Sequence, residues 1–245
     1  MKKNKIKKIL KLRKLTKFSI ILCKKSLIKN KWDINKTIKY LRVKENKKKQ
    51  NIKNLKYGIV YSMVNEDNKL GHLIQLKVKT EEVSYNNILL KLLKKILKIS
   101  LYYKCKNIKE ILKSKYNENI SIKNELLDKS IMFKDNIIIN KFFIIKSDYI
   151  YNYNHYNNKI SSLIGYIKIN KNKKINKKII KYISLDIIGN ESLSLKKDIK
   201  YINKYYNSNN IDPFFLKRIN LNIKQFLYYF KNIKIYDYYI INMVS

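Results

Sequence analysis

Apolar residues recur at helical intervals through the first forty positions and then switch to alternation, and the two periods together lay out the chain. Ile6, Ile9, Leu10 and Leu12 to Leu15 predict a first short helix. Ser19 is placed to cap a second over residues 20–30, and Asp33 a third in which Ile34, Ile38 and Leu41 fall on one face at i, i+4 and i+7. Three short helices of this kind make a compact bundle over residues 1–45. Residues 46–56 lie in a stretch that is nearly all Lys and Asn without a period, and read as a solvated linker.

Residues 57–64 and 73–78 are rich in β-formers; in the second, Ile74, Leu76 and Val78 alternate with Gln75 and Lys77. Asn65-Glu66-Asp67-Asn68 supplies turn chemistry between them, so the pair predicts a hairpin. A polar break at Thr80-Glu81-Glu82-Val83-Ser84 precedes an amphipathic helix over 85–103, carried by Ile88, Leu89, Leu92, Leu93, Ile96 and Leu97. Helices are predicted over 108–116 and 123–133, strands over 136–145, 149–153 and 160–169, and a helix over 175–188 through Ile179, Ile180, Ile183 and Ile187. A helix over 221–230 and a strand over 233–244 close the chain. Strands and helices alternate in two halves, 57–134 and 135–245, each a sheet with helices beside it. That pattern is α+β, with antiparallel sheets, rather than doubly wound.

Composition changes the picture in a few places. With 245 residues, 45% hydrophobic and 12% aromatic, the chain holds enough apolar matter for two or three packed units despite its charge. A net charge of +39 would ordinarily point to nucleic acid. Yet Lys is spread over every segment, Ala is absent, and there are only 4 Gly and 1 Pro. Residues with AT-rich codons are enriched throughout, so coding bias explains the charge more simply, and any RNA affinity is expected to be nonspecific and salt-sensitive. A basic RNA-binding or ribosome-associated protein is the alternative function that the charge alone supports. Cys23 and Cys105 are far apart and form neither a CxxC nor a Cys/His cluster, so no disulfide framework or metal site is indicated. Four glycines leave no phosphate-binding loop, and two His without a nucleophile motif give an enzyme almost nothing to be built from. The apolar runs are too short and too interrupted by Lys to span a bilayer, and residues 18–23 are too few for a secretory signal. A cytoplasmic protein is expected.

Several segments, in order, resemble the bacterial translation elongation factor Ts family. Leu12-Arg13-Lys14-Leu15-Thr16-Lys17-Phe18-Ser19-Ile20-Ile21-Leu22-Cys23-Lys24-Lys25-Ser26-Leu27 is similar to the opening Leu-Arg-x-x-Thr-Gly-x-Gly, hydrophobic pair, Asp-Cys-Lys-Lys-Ala-Leu of that family. Gly71 to Val83 resembles its strand leading into Thr-Asp-Phe-Val, and Asp135-Asn136-Ile137 its Gly-Glu-Asn-Ile element, with Lys141 where Arg is usual. Tyr153-Asn154-His155 with Lys159-Ile160 looks like its Tyr-x-His and Arg-Ile. Pro213-Phe214-Phe215 is similar to its Gln-Pro-Phe-Val, and Tyr236-Asp237-Tyr238-Tyr239 to its closing strand.

The resemblance implies a UBA-like opening bundle, a two-part core, and a factor that performs no chemistry and needs no cofactor. Its partner would be elongation factor Tu: the factor disturbs the Mg²⁺ and phosphate site and stabilises the nucleotide-free GTPase. Thr80, Glu81, Glu82 and Val83 correspond to the loop that the family inserts near the partner's Mg²⁺. Arg13, Ile20 and Ile21 would face the GTPase domain, with bundle core as the plain alternative for the isoleucines and a surface cation for Arg13. His155 would lie near the partner's far domain or serve as a structural hydrogen-bonder, and Lys24 and Lys25 need be no more than a solvated face. Glu82 stands where the family has Phe, which leaves two mechanisms open: Val83 as a smaller wedge, or electrostatic disturbance. Lys17 and Ser19 replace glycines, Leu22 replaces Asp, and His72 replaces an aliphatic with no evident role. Between Gly189 and Asp212 the chain is too short for the family's long coiled-coil hairpin, which is expected to be reduced to a helix over 195–206 or a stub. The few residues before Leu12 favour a bacterial cytosol with an AT-rich genome, and leave an organelle-encoded origin open.

Overall fold

The computed structural model describes residues 2–16, 18–48, 55–170, 177–189, 203, 204, 206, 230 and 232–243. The opening bundle is built from α1 (Lys2–Thr16), α2 (Ile20–Lys29) and α3 (Ile34–Lys48). Ser19 takes ordinary extended angles and caps α2 by accepting from Leu22 N, so a side chain is tolerated there where a glycine is usual. Asp33 accepts from Lys36 N at 2.9 Å at the head of α3. Leu12, Cys23, Leu27 and Leu41 close the bundle core, with Leu22 and Trp32 packed against it. Helix α3 runs through Lys48, into the stretch read as linker, and residues 49–54 lie outside the described set.

The core begins with the hairpin β1 (Tyr57–Val64) and β2 (Leu70–Val78). Asn65 Oδ1 accepts from both Lys69 N and Leu70 N at 3.0 Å, which fixes the turn and starts β2 three residues before its apolar alternation becomes visible. There follow α4 (Glu81–Ser84), α5 (Asn87–Tyr102), α6 (Ile108–Lys113), β3 (Lys115–Asn117), β4 (Ile120–Ser121), α7 (Ile122–Phe133) and β5 (Ile138–Lys146). The helix expected over 108–116 is thus cut at Lys113: Ser114 closes it in extended backbone, and a small β3–β4 hairpin follows. β5, expected in the second half, pairs antiparallel with β2 and completes a first sheet of order β1-β2-β5. The second sheet joins β6 (Tyr149–Asn154), β7 (Ile160–Lys168) and β8 (Ile233–Asn242) in that order, with α8 (Lys177–Gly189) beside it.

Side-chain alternation makes this α+β fold a stack of four layers. Ile74, Leu76 and Val78 of β2 point one way, onto Leu89, Leu92, Leu93 and Ile96 of α5. Leu73 points the other way and meets Ile150, Leu163 and Ile241 from the second sheet. The outer face of that sheet buries Ile164, Ile235 and Tyr238 against Ile179, Ile180, Ile183 and Ile187 of α8. The outer edge of β1 is covered by asparagines of β6: Ser62 N donates to Asn154 Oδ1 at 2.8 Å, and the Asn152 and Asn154 amides donate to Ser62 O. The edge groups of Ser62 are thereby occupied and are not offered to another chain.

Of the helices expected over 195–206 and 221–230, only Asn203, Lys204, Tyr206 and Phe230 are described, all helical; the remainder, with Pro213-Phe214-Phe215, lies outside the described residues. Among the described residues no helix is long and apolar enough to cross a membrane.

Candidate functional site

The polar break after β2 is a tight turn held from both sides. Lys134 caps α7 in a left-handed conformation, which turns the chain and delivers the buried Asp135 to the end of β2. Its carboxylate accepts from Lys79 N and Thr80 N at 2.9 Å and from Thr80 Oγ1 at 2.7 Å. Thr80 is therefore oriented by Asp135 and makes no side-chain cap to α4. Val83, only 9% exposed, turns into the core with Ile59 and Val78. Glu81 and Glu82 face solvent in the first turn of α4. Tyr85, 63% exposed, closes the turn, with its hydroxyl 3.5 Å from Glu81 Oε1.

The second anchor comes from the other sheet. Lys159 is buried at the start of β7, and its ammonium donates to Gly58 O at 2.9 Å and to Ser84 Oγ at 2.7 Å. Ser84 Oγ in turn donates to Glu81 O at 2.6 Å. The face of the Tyr85 ring lies 4.4 Å from Lys159 Nζ. Burial pushes this ammonium below the usual lysine range, while the Glu81 carboxylate acts in the opposite direction.

His155 lies in the turn that leads to Lys159. Its backbone N donates to Ile160 O, and its Nδ1 is 2.8 Å from the Tyr153 hydroxyl. The same turn reaches β1, where Val60 N donates to Asn158 O at 2.9 Å. Two of the segments singled out in the sequence, Thr80 to Val83 and the one carrying His155, are thus joined through Lys159.

Arg13, Ile20 and Ile21 sit apart from this junction, on the opening bundle. Ile20 is 47% and Ile21 68% exposed at the first turn of α2, so neither is bundle core; that place is taken by Cys23 and Leu27. Arg13 is exposed near the end of α1.

His72 is wholly buried. Ser100 Oγ donates to Leu97 O, so it accepts from His72 Nδ1–H at 2.9 Å, which leaves the lone pair on Nε2 without a hydrogen-bond partner. Burial, with Lys146 adding to it, lowers the imidazole from 6.5 to about 4, so the ring is neutral. It packs edge-on against Phe142 at 5.0 Å as part of the interior. Among the described residues no group of three or more His, Cys, Asp or Glu comes together to hold a metal.

Asp135, Lys159 and Tyr85 carry no periodicity that would mark them. The first two stand inside segments that the family resemblance picks out, but what each one holds appears only when β5 and β7 are folded against β1 and β2.

Residues 79–199 match the family model described as Elongation factor TS. Three proteins named Elongation factor Ts are similar to the chain. The one from Phytoplasma mali is 34% identical over 198 residues, 79% of this chain and 68% of that relative. The one from Wigglesworthia glossinidia brevipalpis is 31% identical over 197 residues, 76% and 69% of the two chains. The one from Christiangramia forsetii is 31% identical over 160 residues, 64% of this chain and 57% of the relative. With identity above 30% across more than two thirds of two of these relatives, and a family match that opens at the turn held by Asp135 and Lys159, the chain belongs to the elongation factor Ts family of translation factors.

Proposed function

We propose that this chain is a non-catalytic guanine nucleotide exchange factor for elongation factor Tu, working in the cytoplasm. The observation that carries this reading is the exposure of Ile20 and Ile21, two branched aliphatics left in water at the start of a helix whose own core is already filled. With about half to two thirds of each side chain still in water, such a pair gains about 1–2 kcal/mol per side chain if a partner buries it. Arg13, in the last turn of α1 on the same bundle, adds a cation, and the turn carrying His155 adds a second contact surface on the core.

In this mechanism Glu81 and Glu82 do the disturbing. Both carboxylates project from a turn whose backbone is fixed by Asp135 below and Lys159 behind. Set beside a bound Mg²⁺ and diphosphate, they repel the phosphates and compete with them for the cation, so the nucleotide loses its counter-charge and the loaded state is raised relative to the empty one. Thr80 and Val83 serve as the anchors of the turn. An electrostatic mechanism is favoured over an apolar wedge at Val83, because that side chain is spent on the core.

Exchange follows from thermodynamic coupling. If the factor binds the empty GTPase more tightly than the loaded one, it weakens nucleotide binding by the same ratio. A fluorescent GDP analogue on elongation factor Tu, chased with excess nucleotide at moderate salt, tests this directly. Substoichiometric amounts of the chain should accelerate release. No acceleration, accompanied by salt-sensitive retention of RNA, would replace this reading with the RNA-binding one.

A further inference from the structure

We propose that Lys159 is a positioning residue: it locks the Glu81–Tyr85 turn to the second sheet, so that the turn meets its partner in one shape. This rests on the reading of that turn as a contact surface, but the locking itself is a property of the free chain.

The turn cannot hold its own conformation. Helix α4 has four residues, and the bonds that close it are long, 3.3 Å from Tyr85 N to Glu82 O and 3.2 Å from Asn86 N to Val83 O. A single helical turn fixes several dihedrals for very few bonds and is unfavourable alone. The ammonium of Lys159 supplies what is missing. One N–H holds Gly58 O in β1, a second holds Ser84 Oγ, and the ring of Tyr85 covers Nζ from the solvent side. Ser84 Oγ in turn donates to Glu81 O, so the ammonium is linked by hydrogen bonds to both ends of α4.

The clamp is itself rigid. Lys159 N donates to Asn157 Oδ1 at 3.0 Å, and Lys159 O accepts from Met243 N at 2.9 Å, which tie its backbone to the turn before β7 and to the end of β8. A buried ammonium is costly unless its donors are used, and here leaving the turn would strand it. The second sheet and the carboxylates of α4 therefore move as one piece, with Lys159 as the bolt.

The test uses the full chain with Lys159→Met, which keeps length and removes the charge, and Lys159→Arg, which keeps the charge. Amide hydrogen exchange is read at Tyr85 and Asn86. In Lys159→Met these amides should exchange about tenfold faster, the worth of a charge-assisted hydrogen bond, while those of Leu92 to Ile96 in α5 stay as they are. Lys159→Arg should recover part of the protection. Unchanged exchange at Tyr85 and Asn86 in a folded Lys159→Met protein overturns the proposal. Should that variant not fold, Ser84→Ala removes the acceptor and is read at the same two amides, with the same outcome required.

Stimulated GDP release gives the second readout. At saturating factor, Lys159→Met should lower the maximal rate about fivefold or more, with less than a twofold change in the half-saturating concentration, because the turn is misshapen while the bundle contact is intact. Loosened amides with unaltered release uphold the clamp and overturn the turn's role in exchange. A wild-type chain that does not accelerate release overturns the proposed function and leaves the amide result to decide the clamp.

Discussion

Arg42 forks onto Asp128 across the junction between the opening bundle and the core, with Nε 3.0 Å from one carboxylate oxygen and Nη2 2.6 Å from the other. The pair ties α3 to α7, and α7 leads directly into Asp135, the anchor of the α4 turn. The bundle is therefore docked on the element that shapes the candidate site. A bidentate pair of this kind is oriented as well as charged, and it is largely shielded from solvent.

Arg42→Ala and Asp128→Ala, alone and together, should give a coupling of about 1–2 kcal/mol in urea unfolding, above the range of exposed pairs. Additive losses would show that the fork contributes nothing to docking.

Asp135 satisfies three donors of the strand end and turn with one buried carboxylate. Asp135→Ala leaves Lys79 N, Thr80 N and the Thr80 hydroxyl without it. The expected destabilisation is about 2–4 kcal/mol, measured by chemical denaturation. A loss below about 0.5 kcal/mol would mean that water replaces the carboxylate and that the turn does not depend on it.

His72 makes stability depend on pH in a defined window. Its imidazole sits at about 4 in the folded chain against 6.5 unfolded, so the unfolded chain takes up the proton first as the pH falls. The contribution is fully present above pH 6.5 and is lost as the pH drops toward 4, about 3 kcal/mol in all. His72→Leu should flatten this part of the profile, since Ser100 keeps its bond to Leu97 O. Equal slopes for the two proteins between those limits would exclude His72 as the source.

The scarcity of glycine has a structural consequence. Lys31, Trp32, Asn68, Lys104, Lys134 and Asn158 all adopt positive φ, and no described glycine does. Left-handed seats cost a side-chain-bearing residue about 1–2 kcal/mol, of which glycine's greater unfolded freedom returns part. Lys134→Gly, at the C-cap of α7 with φ 52°, should stabilise the chain by about 0.5–1 kcal/mol. A lowered urea midpoint would show that the lysine makes a contribution beyond its backbone.

Local chemistry was readable where it acts over a few residues. Ser19, Asp33 and Asn65 announce two helix starts and a turn, and each makes the bonds its position implies. The alternation at Ile74, Leu76 and Val78 marks the inner face of β2. Long-range partners were not readable in the same way. Nothing in the stretch from Asp135 to Lys146 says whether β5 joins the strand before it or the strand after it, because both neighbours offer an apolar face. Lys159 looks like one more surface lysine in a chain with 56 basic residues, and only the approach of β1 and α4 turns it into a buried donor.

The central claim is preference for an emptied GTPase, and equilibrium binding tests it most directly. The purified chain is titrated against elongation factor Tu freed of nucleotide and against the GDP-loaded form under identical salt. The expected result is at least about tenfold tighter binding to the empty form. Equal affinity for both forms, or none for either, would contradict it.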